Sequence, residues 1–190
     1  MKKLLFTLAV AFACVSGSMA QDDVFTKGDL VLGVGVGLGN NLGGTGYKSS
    51  VPPIILTGEY GITDALIKKT GKGYVGVGGY LAYTANKFNA GTYDGVEYGT
   101  KWTYMIIAGR GAFHYQLVDK LDTYAGAIAG FNIASASTYG WDGYNYNNSA
   151  GGFTYSTFVG ARYYFSEKLA VYAEAGFGFN ILEAGLSFKF

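Results

Sequence analysis

Apolar residues alternate with small or polar residues at the C-terminal end of the sequence. Leu182, Ala184, Leu186, Phe188 and Phe190 are apolar, and Glu183, Gly185, Ser187 and Lys189 stand between them. A period of two puts successive side chains on opposite faces of a β-strand. This segment therefore predicts a strand with one apolar face. That pattern is typical of a strand that has lipid on one side and a barrel interior on the other.

Seven further segments alternate in the same way, although the fourth does so poorly and its register stays open. The eight predicted strands lie near residues 29–39, 53–61, 73–85, 100–115, 121–134, 153–165, 169–177 and 182–190. An even number of strands is what single-chain bacterial barrels require. The sequence therefore predicts an all-β fold, an eight-stranded antiparallel up-and-down transmembrane β-barrel.

The connections between the predicted strands differ in length at the two ends of the barrel. Residues 40–52, 86–99 and 135–152 form one set, which is mostly longer than the set 62–72, 116–120 and 166–168. A tight connection near residues 180–183 is the exception. Outer-membrane barrels have short periplasmic turns and longer extracellular loops. This pattern predicts that both chain termini lie in the periplasm.

The first twenty residues have the pattern of a cleaved secretory signal peptide. Lys2 and Lys3 precede an apolar run over residues 4–15, and small residues before Gln21 predict cleavage there. The apolar run is too short to cross about 30 Å of hydrocarbon as a helix. Cys14 leaves a lipoprotein signal as an alternative, which Phe12 disfavours. The predicted division is a signal peptide over residues 1–20 and a barrel over residues 21–190.

Composition supports a membrane barrel and excludes several other classes of protein. Charged residues make up 14% of the chain, aromatic residues make up 17%, and glycine contributes 31 residues. Without Lys2 and Lys3, the 14 basic residues fall to 12 against 13 acidic ones, a net charge of −1 with no basic patch for nucleic acid. One histidine and no cysteine after cleavage do not make a zinc site. No cofactor is indicated.

Four of the charged residues within the predicted strands are candidates for the barrel interior: Glu59, Arg110, Arg162 and Glu174. The alternation turns Glu59, Arg162 and Glu174 inward, and Arg110 too if its register holds. A charge facing lipid at mid-depth costs about 2–4 kcal/mol, so inward placement is strongly favoured. A tight turn at 166–168 would set Arg162 opposite Tyr172 and diagonal to Glu174. We expect a structural ion-pair network, with a gated polar path and catalysis as alternatives.

Several segments resemble the small OmpA/OmpX-type outer-membrane β-barrels of Gram-negative cell envelopes. They are GVGVG at 33–37, RGAFHY at 110–115, LDTYAGA at 121–127 and LSFKF at 186–190. The sequence ends at the barrel, so the likeness is to the short, barrel-only members. The resemblance implies location in the bacterial outer membrane, with outer-membrane lipid and lipopolysaccharide as surroundings. It also implies that Phe188 and Phe190 form the assembly signal read by the barrel-insertion machinery.

The function stays open between three classes of role. The first is a non-enzymatic structural or surface-interaction protein, and the second is a small porin-like channel, which needs a continuous wet lumen. The third is an outer-leaflet lipid-modifying enzyme, which needs His114 beside a nucleophile and an acid at the outer rim. The topology instead predicts that His114 lies near the periplasmic end of its strand, in a structural or rim role.

Aromatic residues set among asparagines form a candidate contact surface for an extracellular protein or glycan. They are Tyr139, Trp141, Tyr144 and Tyr146, all in the last of the long predicted loops. Tyr and Trp with Asn make adaptable contacts. The alternative is that these residues belong to the interfacial aromatic girdle of the barrel.

Overall fold

The alternating segments form eight strands in the computed structural model, which describes residues 24–40, 46–140, 147–178 and 180–190. The strands are β1 (Leu30–Asn40), β2 (Lys48–Gly61), β3 (Tyr74–Tyr93), β4 (Val96–Val118), β5 (Leu121–Tyr139), β6 (Asn147–Tyr164), β7 (Leu169–Phe177) and β8 (Asn180–Lys189). Each strand pairs antiparallel with its neighbours in sequence, and β8 pairs with β1 to close the barrel. The predicted fold class is confirmed. The predicted signal peptide lies outside the described residues.

Each strand has an exposed apolar face and an inward face. On β1, Leu32, Val34 and Val36 are 43%, 44% and 51% exposed, whereas Val31, the residue before Leu32, is 1% exposed. The outward residues of the other strands continue this surface around the barrel, and we call it the apolar belt. Within the described residues, no helix is long and apolar enough to cross a membrane.

One end of the barrel, which we call the terminus end, holds residues 24–29, Phe190 and the connections 62–73, 119–120 and 165–168. The other end, the hairpin end, holds the turn at Asp94 and Gly95 and the strand ends at Asn40, Lys48, Tyr139, Asn147, Phe177 and Asn180. The predicted loop 86–99 is wrong, because β3 and β4 continue through it to a two-residue turn at Asp94 and Gly95. Both turn residues have positive φ, 48° and 77°, as a tight hairpin requires. The backbones of β3 and β4 stay paired up to this turn, although their side chains no longer alternate between apolar and polar residues there.

The register of β4, which the sequence left open, is now defined. Ile106, Ala108, Arg110, Ala112 and His114 are buried, and the residues between them face outward. The alternation was weak in the sequence because the inward face of β4 is itself partly apolar. A register shift against β5 occurs only near its end, between Gln116 and Val118.

Glycines on β1 make room for an aromatic ring from β7, the next strand but one. A Cβ atom at Gly35 would collide with the Tyr172 hydroxyl and would lie 2.8 Å from the Ala184 carbonyl oxygen. A Cβ atom at Gly33 would lie 3.5 Å from the Tyr172 ring. The space that these glycines vacate is therefore filled by an aromatic side chain from β7.

Residues 24–29, which we call the N-terminal cap, fold across the terminus end. The Val24 amide donates to the Gln116 side-chain oxygen at 2.7 Å, and the Lys189 ammonium donates to the Val24 carbonyl at 3.2 Å. Phe25 is 2% exposed, and its ring stacks on His114 with centroids 3.9 Å apart. The cap therefore places an aromatic ring inside the mouth of the barrel.

An exposed ion pair joins the N-terminal cap to the turn at 62–73. The Lys27 ammonium lies 2.8 Å from the Asp64 carboxylate, with both side chains more than half exposed. The hydrogen bond from Lys27 to Asp64 raises the pKa of Lys27 above its usual value. Exposed pairs of this kind contribute little to stability.

Candidate functional site

The four charged residues singled out in the sequence lie together in the barrel interior. Glu59 on β2, Arg110 on β4, Arg162 on β6 and Glu174 on β7 are 1%, 4%, 3% and 5% exposed. They share this space with other ionisable side chains from β4, β5 and β8, and we call the whole group the charge network. Its members are Glu59, Arg110, His114, Asp122, Arg162, Glu174 and Glu183.

The half of the network nearer the terminus end is built around His114. Its Nε2 atom lies 2.6 Å from Glu59 Oε1, and its Nδ1 atom lies 3.0 Å from the Asp122 carboxylate. Carboxylates only accept hydrogen bonds, so this geometry fits an imidazolium ring that donates from both nitrogens. Arg162 joins the same two acids, at 3.1 Å to Asp122 and 3.4 Å to Glu59.

The other half is built around a two-point contact between Arg110 and Glu174. Two guanidinium nitrogens of Arg110 donate to the two Glu174 carboxylate oxygens at 2.9 and 2.7 Å. The Tyr124 hydroxyl donates to the same carboxylate at 2.8 Å. The Arg110 guanidinium also lies 4.0 Å from the centre of the Phe158 ring. Its Nε atom is 3.5 Å from Glu59, which links the two halves.

A fourth acid lies beyond these pairs, toward the hairpin end. Glu183 is directly opposite Glu174 in the register of β7 and β8, and it accepts a hydrogen bond from the Tyr80 hydroxyl at 2.9 Å. A small cavity of about 10 Å³ lies between these side chains and Phe158. That volume holds about one water molecule.

Apolar side chains fill the interior on the hairpin side of the charge network. Ile55, Tyr80, Ile106 and Ile128 are 0%, 1%, 2% and 4% exposed and belong to one buried cluster. The ring of Phe25 covers the network on the other side. The charged residues are therefore enclosed between an apolar plug and an apolar cluster.

The structure confirms the predicted register of β6 and β7 and corrects the predicted partners of Arg162 and Glu174. Arg162 lies opposite Tyr172, as the tight turn predicted. Its hydrogen bonds go to Asp122 and Glu59, however, and Glu174 binds Arg110 instead. The reason is that side chains in a narrow barrel reach across the interior, whereas the sequence shows only neighbours across a hairpin.

His114 does not lie at a rim. It is 1% exposed and covered by Phe25, because its even position on β4 turns it inward with Arg110 and Ala112. Within the residues that the structure describes, no group of three or more His, Cys, Asp or Glu side chains is arranged to hold a metal ion.

Sequence reasoning missed Asp122 and Glu183 as members of the network. Asp122 is 1% exposed and Glu183 is 6% exposed. Asp122 shares the face of Tyr124, two residues along β5, and Glu183 interrupts an otherwise apolar or small segment of β8. In both cases the signal was the position of the residue along its strand, which places its side chain on the inward face.

Comparison with solved structures places this geometry in a known fold. Ail, the attachment invasion locus protein of Yersinia pestis, in complex with the heparin analogue sucrose octasulfate, is 13% identical, with a TM-score of 0.53 over 87% of this chain and 100% of that chain. OprG, an outer-membrane protein from Pseudomonas aeruginosa, is 13% identical, with a TM-score of 0.52 over 89% of this chain and 99% of that chain. The chain has the fold of the small eight-stranded outer-membrane β-barrels. No protein-family model and no curated protein sequence matches it.

In this outer-membrane barrel fold, the predicted contact surface is described only at Tyr139. Its ring lies 5.4 Å from the Lys87 ammonium, and its hydroxyl donates to the Phe88 carbonyl at 3.3 Å. Trp141, Tyr144 and Tyr146 lie outside the described residues. Tyr139 therefore stands at the hairpin end, at the edge of the connection that the sequence singled out.

The closing strand of the barrel ends at the terminus end with its aromatic residues outward. Phe188 is 42% exposed and Phe190 is 70% exposed. The Phe190 amide donates to the Leu30 carbonyl at 2.8 Å, and the Leu30 amide donates to the Phe190 carbonyl at 3.4 Å. Phe190 therefore extends the seam between β8 and β1.

Proposed function

We propose that this protein is a closed, non-enzymatic outer-membrane barrel with a structural and surface-interaction role. The observation that carries this proposal is the filled interior, in which the Phe25 ring, the charge network and the apolar cluster succeed one another along the barrel axis. An eight-stranded barrel is just wide enough for side chains to fill. In this proposal a rigid barrel anchors the chain and presents its hairpin end to a partner.

The enzyme alternative is disfavoured by the surroundings of His114. Both ring nitrogens lie within hydrogen-bond distance of carboxylates, and the ring is covered by Phe25. A general base must reach the proton that it abstracts from a bound substrate. His114 lacks that access. We propose a structural role for it, and for Glu59, Arg110, Arg162 and Glu174.

A porin-like channel is the alternative that a direct measurement separates from this proposal. We expect purified protein in a planar lipid bilayer to give no stable conductance steps, because three successive layers of side chains block the interior. Phe25→Ala should also stay closed, since the charge network and the apolar cluster lie deeper. Large, reproducible steps from the wild-type protein would replace this proposal with the channel.

We also propose the predicted orientation, with both termini in the periplasm. The connection lengths no longer support it, because the 62–73 connection at the terminus end is long and the β3–β4 turn at the hairpin end has two residues. The support is the length of β3 to β6, which have 18 to 23 residues and extend beyond the apolar belt at the hairpin end, whereas about 9–11 residues cross a bilayer. The signal peptide is then removed before Gln21, and the mature chain has no cysteine. We expect Tyr93→Cys, at the 81% exposed tip of the β3–β4 hairpin, to react with a membrane-impermeant maleimide on intact cells. Glu167→Cys, in an exposed turn at the terminus end, should react only after lysis. The opposite labelling pattern would reverse the orientation.

Contact with an extracellular glycan or protein at the hairpin end is a further part of the proposal. Tyr139 is placed there, and Trp141, Tyr144 and Tyr146 follow within the adjoining connection. The fold neighbour Ail was solved with a heparin analogue, which supports an anionic glycan as one candidate partner. Outer-membrane lipid and lipopolysaccharide would surround the apolar belt, and the barrel-insertion machinery would read Phe188 and Phe190.

A further inference from the structure

Three lysines lie side by side on adjacent strands near the hairpin end. Lys48 on β2 is directly opposite Lys87 on β3, and Lys87 is directly opposite Lys101 on β4. Directly opposite residues point to the same face of a sheet, and neighbouring strands lie about 4.8 Å apart. The three side chains therefore form a line about 10 Å long, which we call the lysine row.

The lysine row lies on the outward face of the barrel, above the apolar belt. Along β3 this face reads Tyr83, Ala85 and Lys87, and along β4 it reads Met105, Thr103 and Lys101. Tyr83 and Met105 are 41% and 43% exposed and belong to the belt.

Four residues rise about 13 Å along a strand, or about 10 Å along the membrane normal at a tilt near 40°. Lysine side chains also reach back toward the membrane surface. The ammonium groups therefore stand at the headgroup level, just beyond the hydrocarbon.

The lysine row has no anionic partner within the described residues. The ion pairs found there involve other side chains, and the contact of Lys87 is with the Tyr139 ring. Lys48 and Lys87 are exposed, and Lys101 is partly exposed. Like charges directly opposite each other destabilise a sheet. An anion that bridges the ammonium groups would remove this repulsion.

We propose that the lysine row binds the phosphate groups of lipopolysaccharide in the outer leaflet, through the lipid A headgroup. The level of the row, its outward face and its uncompensated charge all fit a phosphorylated lipid headgroup packed beside the barrel wall. The proposal rests on the orientation given under the proposed function, in which the hairpin end lies outside the cell. The barrel would then bind lipid at one defined position on its wall, in place of equal contact with lipid all around.

The test uses the whole barrel in detergent micelles, titrated with bis-phosphorylated lipid A and followed by native mass spectrometry. Each lysine near an anionic surface contributes about fivefold in affinity. We therefore expect the triple variant Lys48→Gln, Lys87→Gln, Lys101→Gln to bind lipid A about 100-fold more weakly. The matched control removes three exposed lysines at the terminus end, Lys68→Gln, Lys69→Gln, Lys168→Gln, and should bind as the wild-type protein does. Folding of each variant is checked by its heat-dependent gel mobility.

Three binding results would overturn the proposal. In the first, the row variant binds lipid A as tightly as the wild-type protein. In the second, the row variant and the control lose affinity equally, so that only total charge matters. In the third, the row variant keeps lipid A but loses a soluble sulfated oligosaccharide. Maleimide labelling that reverses the orientation would also overturn it, whereas channel conductance would refute the proposed function and leave this binding result standing.

Discussion

Glu59→Ala should lower the free energy of unfolding by about 3–5 kcal/mol, the range for removing one partner of a buried ion pair. Glu59 contacts His114 at 2.6 Å, Arg162 at 3.4 Å and Arg110 at 3.5 Å. The variant would leave two guanidinium groups short of an acceptor in an interior closed to bulk water. Among the other acids of the described interior, Asp122 contacts two basic side chains and Glu174 contacts one. We therefore expect a large loss of stability.

Equilibrium unfolding in urea, with the protein in lipid vesicles, measures this change. Glu167→Ala is the matched control, because it removes the same side chain from an exposed turn and should change stability by less than about 0.5 kcal/mol. A loss at Glu59 no greater than at Glu167 would mean that the charge network does not stabilise the barrel. Glu59→Gln should fall between the two, since the amide keeps the shape and loses the charge.

Deletion of Phe190 should reduce the amount of folded barrel in the outer membrane to a small fraction of the wild-type level, while export to the periplasm continues. Two effects combine in the deletion. It removes the terminal aromatic side chain that we propose the insertion machinery reads, and it removes two backbone hydrogen bonds that extend the β8–β1 seam. The measurement is the heat-modifiable fraction of the protein in isolated outer membranes.

Substitutions separate the two effects of the deletion. Phe190→Ala keeps the backbone hydrogen bonds and loses only the ring, and it should also assemble poorly. Phe177→Ala removes a lipid-facing ring that is 81% exposed at the hairpin end, and it should assemble normally. Normal assembly of Phe190→Ala would show that the ring is not the assembly signal.

Strand number and the inward position of Glu59, Arg162 and Glu174 followed from alternation, whereas the side of Arg110 stayed open with the register of its strand. A period of two is a strong signal, because a one-residue slip would turn Glu59, Arg162 and Glu174 toward lipid. The pairing of Arg162 with Tyr172 followed from the tight turn at 166–168 in the same way. These features depend on local pattern, which a sequence displays directly.

Contacts across the interior could not be obtained in this way. Glu174 and Arg110 lie on strands that are not hydrogen-bonded to each other, so no pairing rule joins them. The Phe25 plug was missed because the N-terminal cap has no periodic pattern. The outer part of the β3–β4 hairpin was missed because its polar and small side chains have the pattern of a loop. Backbone hydrogen bonds pair the two strands there, and the side-chain pattern does not show them.

The sharing of the charge network among several strands also bears on how such a sequence can diverge. Lipid-facing positions need only an apolar side chain, so aliphatic and aromatic residues can replace one another there one at a time. A change at Glu59 is different, because it alters the surroundings of Arg110 and Arg162 together. We expect related sequences to change these three positions jointly, while their lipid-facing positions change independently of one another. Overall sequence identity would then understate how similar the interiors are.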